Sequence, residues 1–250
     1  MQNKFNWIKK CQSWKEKWNT YVVEIKDDEG GINFYTILES LNKYMVKNDV
    51  LISDSGTSFY ITGQAAKISD GVRLVLPGAQ ADMGFSLPAS IGVGMTDKKY
   101  NPIIITGDGS FQTNIQELAT IKEYKIRTKI LIINNQGYLS IRNTQSKFFN
   151  TMYGSSVDSG LWFPDLKKIA DTYDIKYFKI HNNEELYDHL QKFLHIDEPV
   201  LFDIQCKYSQ DLSPVVSLKT MPDNTMKQCG LEDMAPFLSK EELESELNVV

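Results

Sequence analysis

The sequence predicts an α/β fold: a doubly wound, mostly parallel six-stranded sheet with helices on both faces. Three observations predict it. Six short apolar runs, at residues 50–54, 72–76, 102–106, 129–133, 177–180 and 199–204, read as strands. Segments that read as helices fall between them, and alternating strands and helices favour parallel pairing. Two neighbouring runs also end in oxygen-bearing residues, Gly107-Asp108-Gly109-Ser110 after the third and Asn134-Asn135 after the fourth.

The elements follow in chain order. Residues 1–31 are a polar lead in which Trp7, Cys11, Trp14 and Trp18 fall on one face of a helix. That helix suits either packing on its own domain or lying against a preceding one. Lys26-Asp27-Asp28-Glu29-Gly30-Gly31 reads as a loop. Phe34, Ile37, Leu38, Leu41 and Met45 make a helical stripe over 33–46. The strand at 50–54 runs into Ser55-Gly56-Thr57-Ser58 and another helix. The strand at 72–76 leads to a stretch rich in small residues, and 84–95 reads as a small-residue helix packed closely on the sheet. A helix over 111–124 separates the third and fourth strands, and Gln112, Asn114, Gln116 and Glu117 read as mixed surface and interface positions on it. Another helix follows Asn135. Residues 149–162 read as a mobile loop or lid. Helices are expected over 163–173 and 184–194, flanking the strand at 177–180. The tail ends in an acidic helix over 239–247, where Ser239 with Glu242 forms a capping box. The expected organisation is a linker helix over 1–31, a binding domain over 32–206, and a C-terminal tail over 207–250 that is a candidate lid.

A chain of 250 residues suffices for one large α/β domain with a substantial core. Its net charge of −5 argues against a nucleic-acid partner. Cys11, Cys206 and Cys229 are scattered without metal-ligand spacing, so a reducing, cytoplasmic setting is expected. His181, His189 and His195 surround a peripheral helix and read as structural or surface residues. The charged N-terminus lacks the apolar core of a signal peptide, and no run reaches the ~18 apolar residues of a membrane span.

The chemistry lies at the strand ends. Ligands in open α/β sheets bind beyond the carboxyl ends of the strands. Consecutive parallel strands joined by a helix usually neighbour each other. Asp108 and Asn135 therefore face one crevice. A carboxylate, an amide oxygen and backbone carbonyls suit Mg²⁺, which keeps positions for phosphate oxygens. Gly107 and Gly109 allow close approach of backbone to ligand. Ser110 can cap a helix whose N-terminus attracts phosphate. Gly56 among small hydroxyl residues, Thr57 included, makes a second turn with N–H groups for an anion. With a divalent cation between them, Asp108 and a diphosphate attract rather than repel.

Gly-Asp-Gly-Ser, a helix and Asn-Asn, with 27 residues from Asp108 to Asn135, resemble the thiamine diphosphate (ThDP) motif of acetolactate synthase-like enzymes. The likeness covers nearly the whole chain, but only the C-terminal, diphosphate-binding third of such an enzyme. It implies metal ligation by Asp108, Asn135 and the Gly137 carbonyl. It implies cofactor contacts from Gly56, Thr57, Met83, Gly107, Asp108, Gly109, Ser110, Asn135, Gly137 and Tyr138. Met83 matches the residue that wedges beneath the cofactor and bends it into a V. The carbonyl of Ala81 matches the one that accepts from the 4′-amino group, where the family usually has Gly. Thr57-Ser58 stand where the family often has Gln-His, and Thr144 where acetolactate synthases often have Trp. The stretch from Gly137 to Phe149 and the tail look more like the group associated with surface-sugar pathways. Arg142 is a candidate for a substrate carboxylate or a surface residue.

The reaction this implies is decarboxylation of a 2-oxo acid, with pyruvate the first choice, and transfer of the two-carbon unit to a carbonyl acceptor. A simple decarboxylase subunit and a non-catalytic partner subunit are the alternatives. A nucleotide-binding domain fits less well, because both GxGxxG and GxxxxGK[ST] are missing. The resembled enzymes take the Glu that activates ThDP from a pyrimidine-binding domain, normally on another subunit. Nothing here looks like that domain, so a partner chain in a homo- or hetero-oligomer is expected. FAD, where acetolactate synthases hold it, sits mostly outside this domain.

Overall fold

The computed structural model describes residues 2–18, 30–221, 223 and 225–248. Of the loop expected over 26–31, residues 26–29 lie outside them. In chain order the elements are α1 (Gln2–Lys17), α2 (Phe34–Tyr44), β1 (Asp49–Ser53), α3 (Thr57–Ala65), β2 (Arg73–Val75), α4 (Ser86–Thr96), β3 (Asn101–Gly107), α5 (Asp108–Gln112), α6 (Glu117–Glu123), β4 (Lys129–Asn134) and α7 (Leu139–Phe148). They continue with α8 (Leu166–Thr172), β5 (Lys176–Ile180), α9 (Asn183–Phe193), β6 (Val200–Gln205), β7 (Leu218–Thr220), β8 (Met226–Gln228) and α10 (Lys240–Leu247).

All six expected strands form one sheet, every pair parallel, in the order β2-β1-β3-β4-β6-β5. Its central strands are continuous apolar runs because helices cover both faces. The alternation along each strand divides the core. Val50, Ile52, Ile104, Ile130, Ile132 and Leu201 pack with Leu87 of α4, Leu118 and Ile121 of α6 and Ala170 of α8. Leu51, Ile103, Ile105, Leu131 and Phe202 occupy the alternate positions and are equally buried. They belong to the face where α2 buries Phe34, Ile37, Leu38 and Leu41. Asn33 starts α2 by accepting from the Tyr35 amide at 2.9 Å.

The chain leaves β1 for β2 on one side and returns to β3 on the other. The carboxyl ends of β1 and β3 therefore flank the switch point, where such sheets hold ligands. The opposite end is closed by polar contacts. Lys129 is fully buried, and its Nζ donates to the carbonyls of Arg127, Ile196 and Glu198. Asp49 accepts from the Val46 amide and Asn101, with His195 Nε2 3.0 Å away.

Two local expectations are corrected. The helix expected over 111–124 is broken into α5 and α6 by a turn at 113–116. There Asn114 turns its side chain to the Gly84 carbonyl, 3.0 Å away, and its own carbonyl accepts from the Glu117 amide. The tail also carries an antiparallel pair, β7 and β8, of three residues each, with no apolar alternation to announce it.

Contacts group the chain into two units, residues 25–210 with the sheet, and residues 1–24 with 211–250. In the second unit, Lys17 of α1 pairs with Glu242 at 2.6 Å and with Glu246 at 2.9 Å. Lys10 also pairs with Glu246, and the Trp14 indole donates to it at 2.8 Å. Hydrogen bonds from Lys10, Lys17 and Trp14 hold the Glu246 carboxyl down to about 2. The acidic face of α10 is therefore partly matched to α1. Among the described residues, no helix is long and apolar enough to cross a membrane.

Candidate active site

A cavity of about 240 Å³ opens beyond the carboxyl ends of β1, β3 and β4. Ser55, Gly56, Thr57 and Ser58 reach it from the turn after β1. Gly107, Asp108, Gly109 and Ser110 come from the junction of β3 and α5, and Asn135, Gly137 and Tyr138 from the loop after β4. Met83 enters from the segment before α4, and Ser140 and Ile141 from α7. Among these lining residues Asp108 alone carries a charge.

Asp108 is only 4% exposed. The Gly109 amide donates to its Oδ1 at 2.7 Å and the Gly137 amide to its Oδ2 at 3.0 Å. Burial raises its carboxyl from 3.8 to about 6, against the lowering effect of these backbone donors and of Arg142. A buried carboxylate with spare lone pairs and a raised pKa gains from a cation.

Asn135 lies beside it, 4% exposed. Its amide has two chemically distinct settings. With the nitrogen toward the Gly137 carbonyl and the oxygen toward Arg142 Nη2, both contacts are hydrogen bonds of 2.9 Å. In the opposite setting the amide oxygen stands beside the Gly137 carbonyl, which a hard cation would satisfy, and the amide nitrogen faces the donor Arg142 Nη2. One carboxylate, one amide oxygen and one carbonyl fit Mg²⁺, which fills its remaining positions with water or phosphate oxygens. Backbone conformation supports the loop: Gly137 has φ +141°, and a Cβ there would lie 2.2 Å from the Ser155 carbonyl oxygen.

The sequence-predicted residues are placed as follows. Gly56, Thr57, Met83, Gly107, Asp108, Gly109, Ser110, Asn135, Gly137 and Tyr138 all line the one cavity. Ala81 does not; it sits in the loop before Met83 with φ +49°, a conformation natural to glycine. Gly107 faces open space, whereas a Cβ on Gly109 would lie 2.2 Å from the Tyr138 ring. Gly109 is thus demanded by Tyr138. The Ser110 hydroxyl donates to Asp54 and accepts from the Gly84 amide, so Ser110 offers an anion its backbone rather than its side chain. Thr144 is exposed and bonds back to the Ser140 carbonyl within α7.

Arg142 is neither a surface residue nor a cavity residue. It is 3% exposed, and its guanidinium donates to the carbonyls of Asn135, Gln136, Ser155 and Tyr208 while stacking on the Tyr208 ring at 4.1 Å. Its planar fork braces the loop that carries Asn135 and Gly137. None of the three histidines lines the cavity. His189 packs on Phe178 at 4.8 Å and His195 lies at the far end of the sheet.

Sequence reasoning passed over Asp54 and Asp203, and gave Asn114 no partner. Asp203 accepts from Asn134, Tyr177 and Gln205, so the first Asn of the pair serves the sheet while the second serves the site. The signal for Asp54 and Asp203 was present, since an Asp in an apolar strand needs partners once buried.

Comparison with known proteins gives one consistent result. The family described as "Thiamine pyrophosphate enzyme, C-terminal TPP binding domain" matches residues 54–204. The acetolactate synthase large subunit of Pyropia yezoensis is 31% identical over 213 residues, covering 85% of this chain and 35% of that protein. That of Lactococcus lactis is 29% identical, covering 84% and 36%. A mitochondrial acetolactate synthase of Schizosaccharomyces pombe is 28% identical, covering 86% and 32%. The chain therefore spans about a third of the length of these curated relatives. The strand order, the cavity at the switch point and this match agree: the chain belongs to the thiamine pyrophosphate enzymes of the acetolactate synthase type, and corresponds to their C-terminal TPP-binding domain.

Proposed function

We propose that this chain holds Mg²⁺ and the diphosphate of ThDP in an enzyme that decarboxylates a 2-oxo acid, pyruvate first among them, and passes the two-carbon unit to a carbonyl acceptor. The observation that carries the reading is the convergence of Asp108, Asn135 and Gly137 on one cavity at the switch point. Asp108, Asn135 and Gly137 would hold the metal. Backbone N–H groups of the turns at Gly56–Thr57 and Gly109–Ser110 would face the diphosphate. Met83, 45% exposed, would be the wedge that sets the V shape of the ring portion, and the Ala81 carbonyl would accept from its amino group. When bound, ThDP supplies an acidic thiazolium carbon that becomes a nucleophile toward carbonyls.

The carboxylic acid that must act on the aminopyrimidine is assigned to a pyrimidine-binding domain outside this chain. The coverage of about a third of each relative supports this. So do the apolar side chains at the cavity, where Ile141 of α7 and Met83 are exposed. The test is ThDP binding to the chain, with the pyrimidine domain of a relative added where needed. Binding is expected to require Mg²⁺ and to be lost in Asp108→Ala. Metal-independent binding, or binding unchanged in Asp108→Ala, would overturn the reading.

A further inference from the structure

We infer that Asp54 is a positioning residue, one that presents Met83 to the cavity by pinning the backbone of the segment behind it. The inference deepens the proposed role of Met83 and rests on that reading for its function, though not for its geometry.

Asp54 follows β1 and is fully buried. Five donors converge on its carboxylate. Oδ1 accepts from the amides of Ser55 at 2.8 Å and Gly84 at 3.0 Å, and from the Ser110 hydroxyl at 2.5 Å. Oδ2 accepts from the amide of Ser86 at 3.0 Å and its hydroxyl at 2.6 Å. Three of the five donors belong to Gly84 and Ser86, directly behind Met83, and a fourth to the Gly-Asp-Gly-Ser turn. A buried carboxylate needs such partners. Here they come from separate stretches of chain that all reach the cavity.

Gly84 is held from both sides. Its amide is shared between Asp54 and Ser110, and its carbonyl accepts from Asn114 at 3.0 Å. It has φ +81°, and a Cβ there would lie 2.8 Å from Thr113 Cβ and 2.9 Å from Asn114 Nδ2. No other residue fits the position without displacement. Met83, one residue earlier, thus leaves a backbone whose next peptide is clamped, which fixes the direction in which its flexible side chain starts.

Asp54→Asn keeps size and shape but replaces one acceptor with a donor. The serine hydroxyls can turn to accept from the new amide; the backbone amides of Gly84 and Ser86 cannot. Amide hydrogen exchange on the whole chain tests this. The retained oxygen still accepts from one of the two, so whichever of Gly84 and Ser86 faces the new amide is expected to exchange about tenfold faster in Asp54→Asn, with residues of β6 unchanged. Ser86→Ala removes one donor while leaving the carboxylate, and is expected to speed exchange at the same two amides by a smaller factor, which keeps the test open if Asp54→Asn does not fold. Unchanged exchange at Gly84 and Ser86, or an equal rise throughout the sheet, would overturn the inference. A second arm compares two probes in the presence of Mg²⁺. Asp54→Asn is expected to weaken ThDP about tenfold and inorganic pyrophosphate, which has no rings to meet Met83, about twofold at most. Equal losses for both would contradict a positioning role. The exchange arm stands whether or not the wild-type chain binds ThDP, which separates this inference from the proposed function.

Discussion

At the scale of single residues, the metal role proposed for Asp108 ties cofactor binding to pH. Burial lifts its carboxyl to about 6 in the folded chain, above its ordinary 3.8. A raised folded-state pKa means that the folded chain holds the proton more tightly than the unfolded one. The stability this group contributes is complete below about pH 4 and is lost as pH rises through about 6. A cation needs the carboxylate, so metal affinity runs the other way. Metal-dependent ThDP binding is expected to weaken by up to about tenfold per pH unit below pH 6 and to level off above it. Titrations between about pH 5 and about pH 8 measure this, and a flat profile would exclude Asp108 as the ligand. Arg142 is the second residue of consequence. Arg142→Met keeps the stem but removes the guanidinium donor from the carbonyls of Asn135, Gln136 and Tyr208, and from that of Ser155, which keeps the Tyr138 amide. The expected loss is about 2–4 kcal/mol in urea unfolding, together with weaker metal affinity, because the Asn135 loop loses its brace.

At the scale of elements, α4 shows why small residues sit where they do. Two of its glycines differ in kind. A Cβ on Gly94 would lie 2.2 Å from Ile126 Cγ2, while one on Gly92 meets nothing within 4 Å. Gly94→Ala is expected to destabilise the fold by about 1–3 kcal/mol through overpacking, despite its better helix propensity. Gly92→Ala is expected to stabilise it by up to about 1 kcal/mol. Thermal unfolding of the pair decides it, since a propensity effect alone would move both the same way. The elements also show what was legible. The six strands were, because four of them are apolar runs buried on both faces, a pattern that local residues carry by themselves. The break between α5 and α6 was not, because it involves Asn114 and a carbonyl 30 residues away. The pairing of α10 with α1 was equally out of reach, since Glu246 finds Lys17 across 229 positions.

At the scale of the whole molecule, sequence reading located the cavity through a general rule about strand ends, and the switch point between β1 and β3 is where it lies. It did not foresee which polar side chains face inward. Asp54 is spent on backbone amides and serine hydroxyls and Arg142 on backbone carbonyls, and only the folded chain reveals those partners. In the proposed reading the sheet carries the metal-and-anion end, while the acid needed at the other end of the cofactor is assigned to another domain. The most direct test of that division is C2–H/D exchange of ThDP, followed by NMR with Mg²⁺, for the chain alone and with a pyrimidine-binding domain. Slow exchange alone and fast exchange with the added domain is the predicted result. Fast exchange by the isolated chain would contradict it, because the activating acid would then lie within these 250 residues.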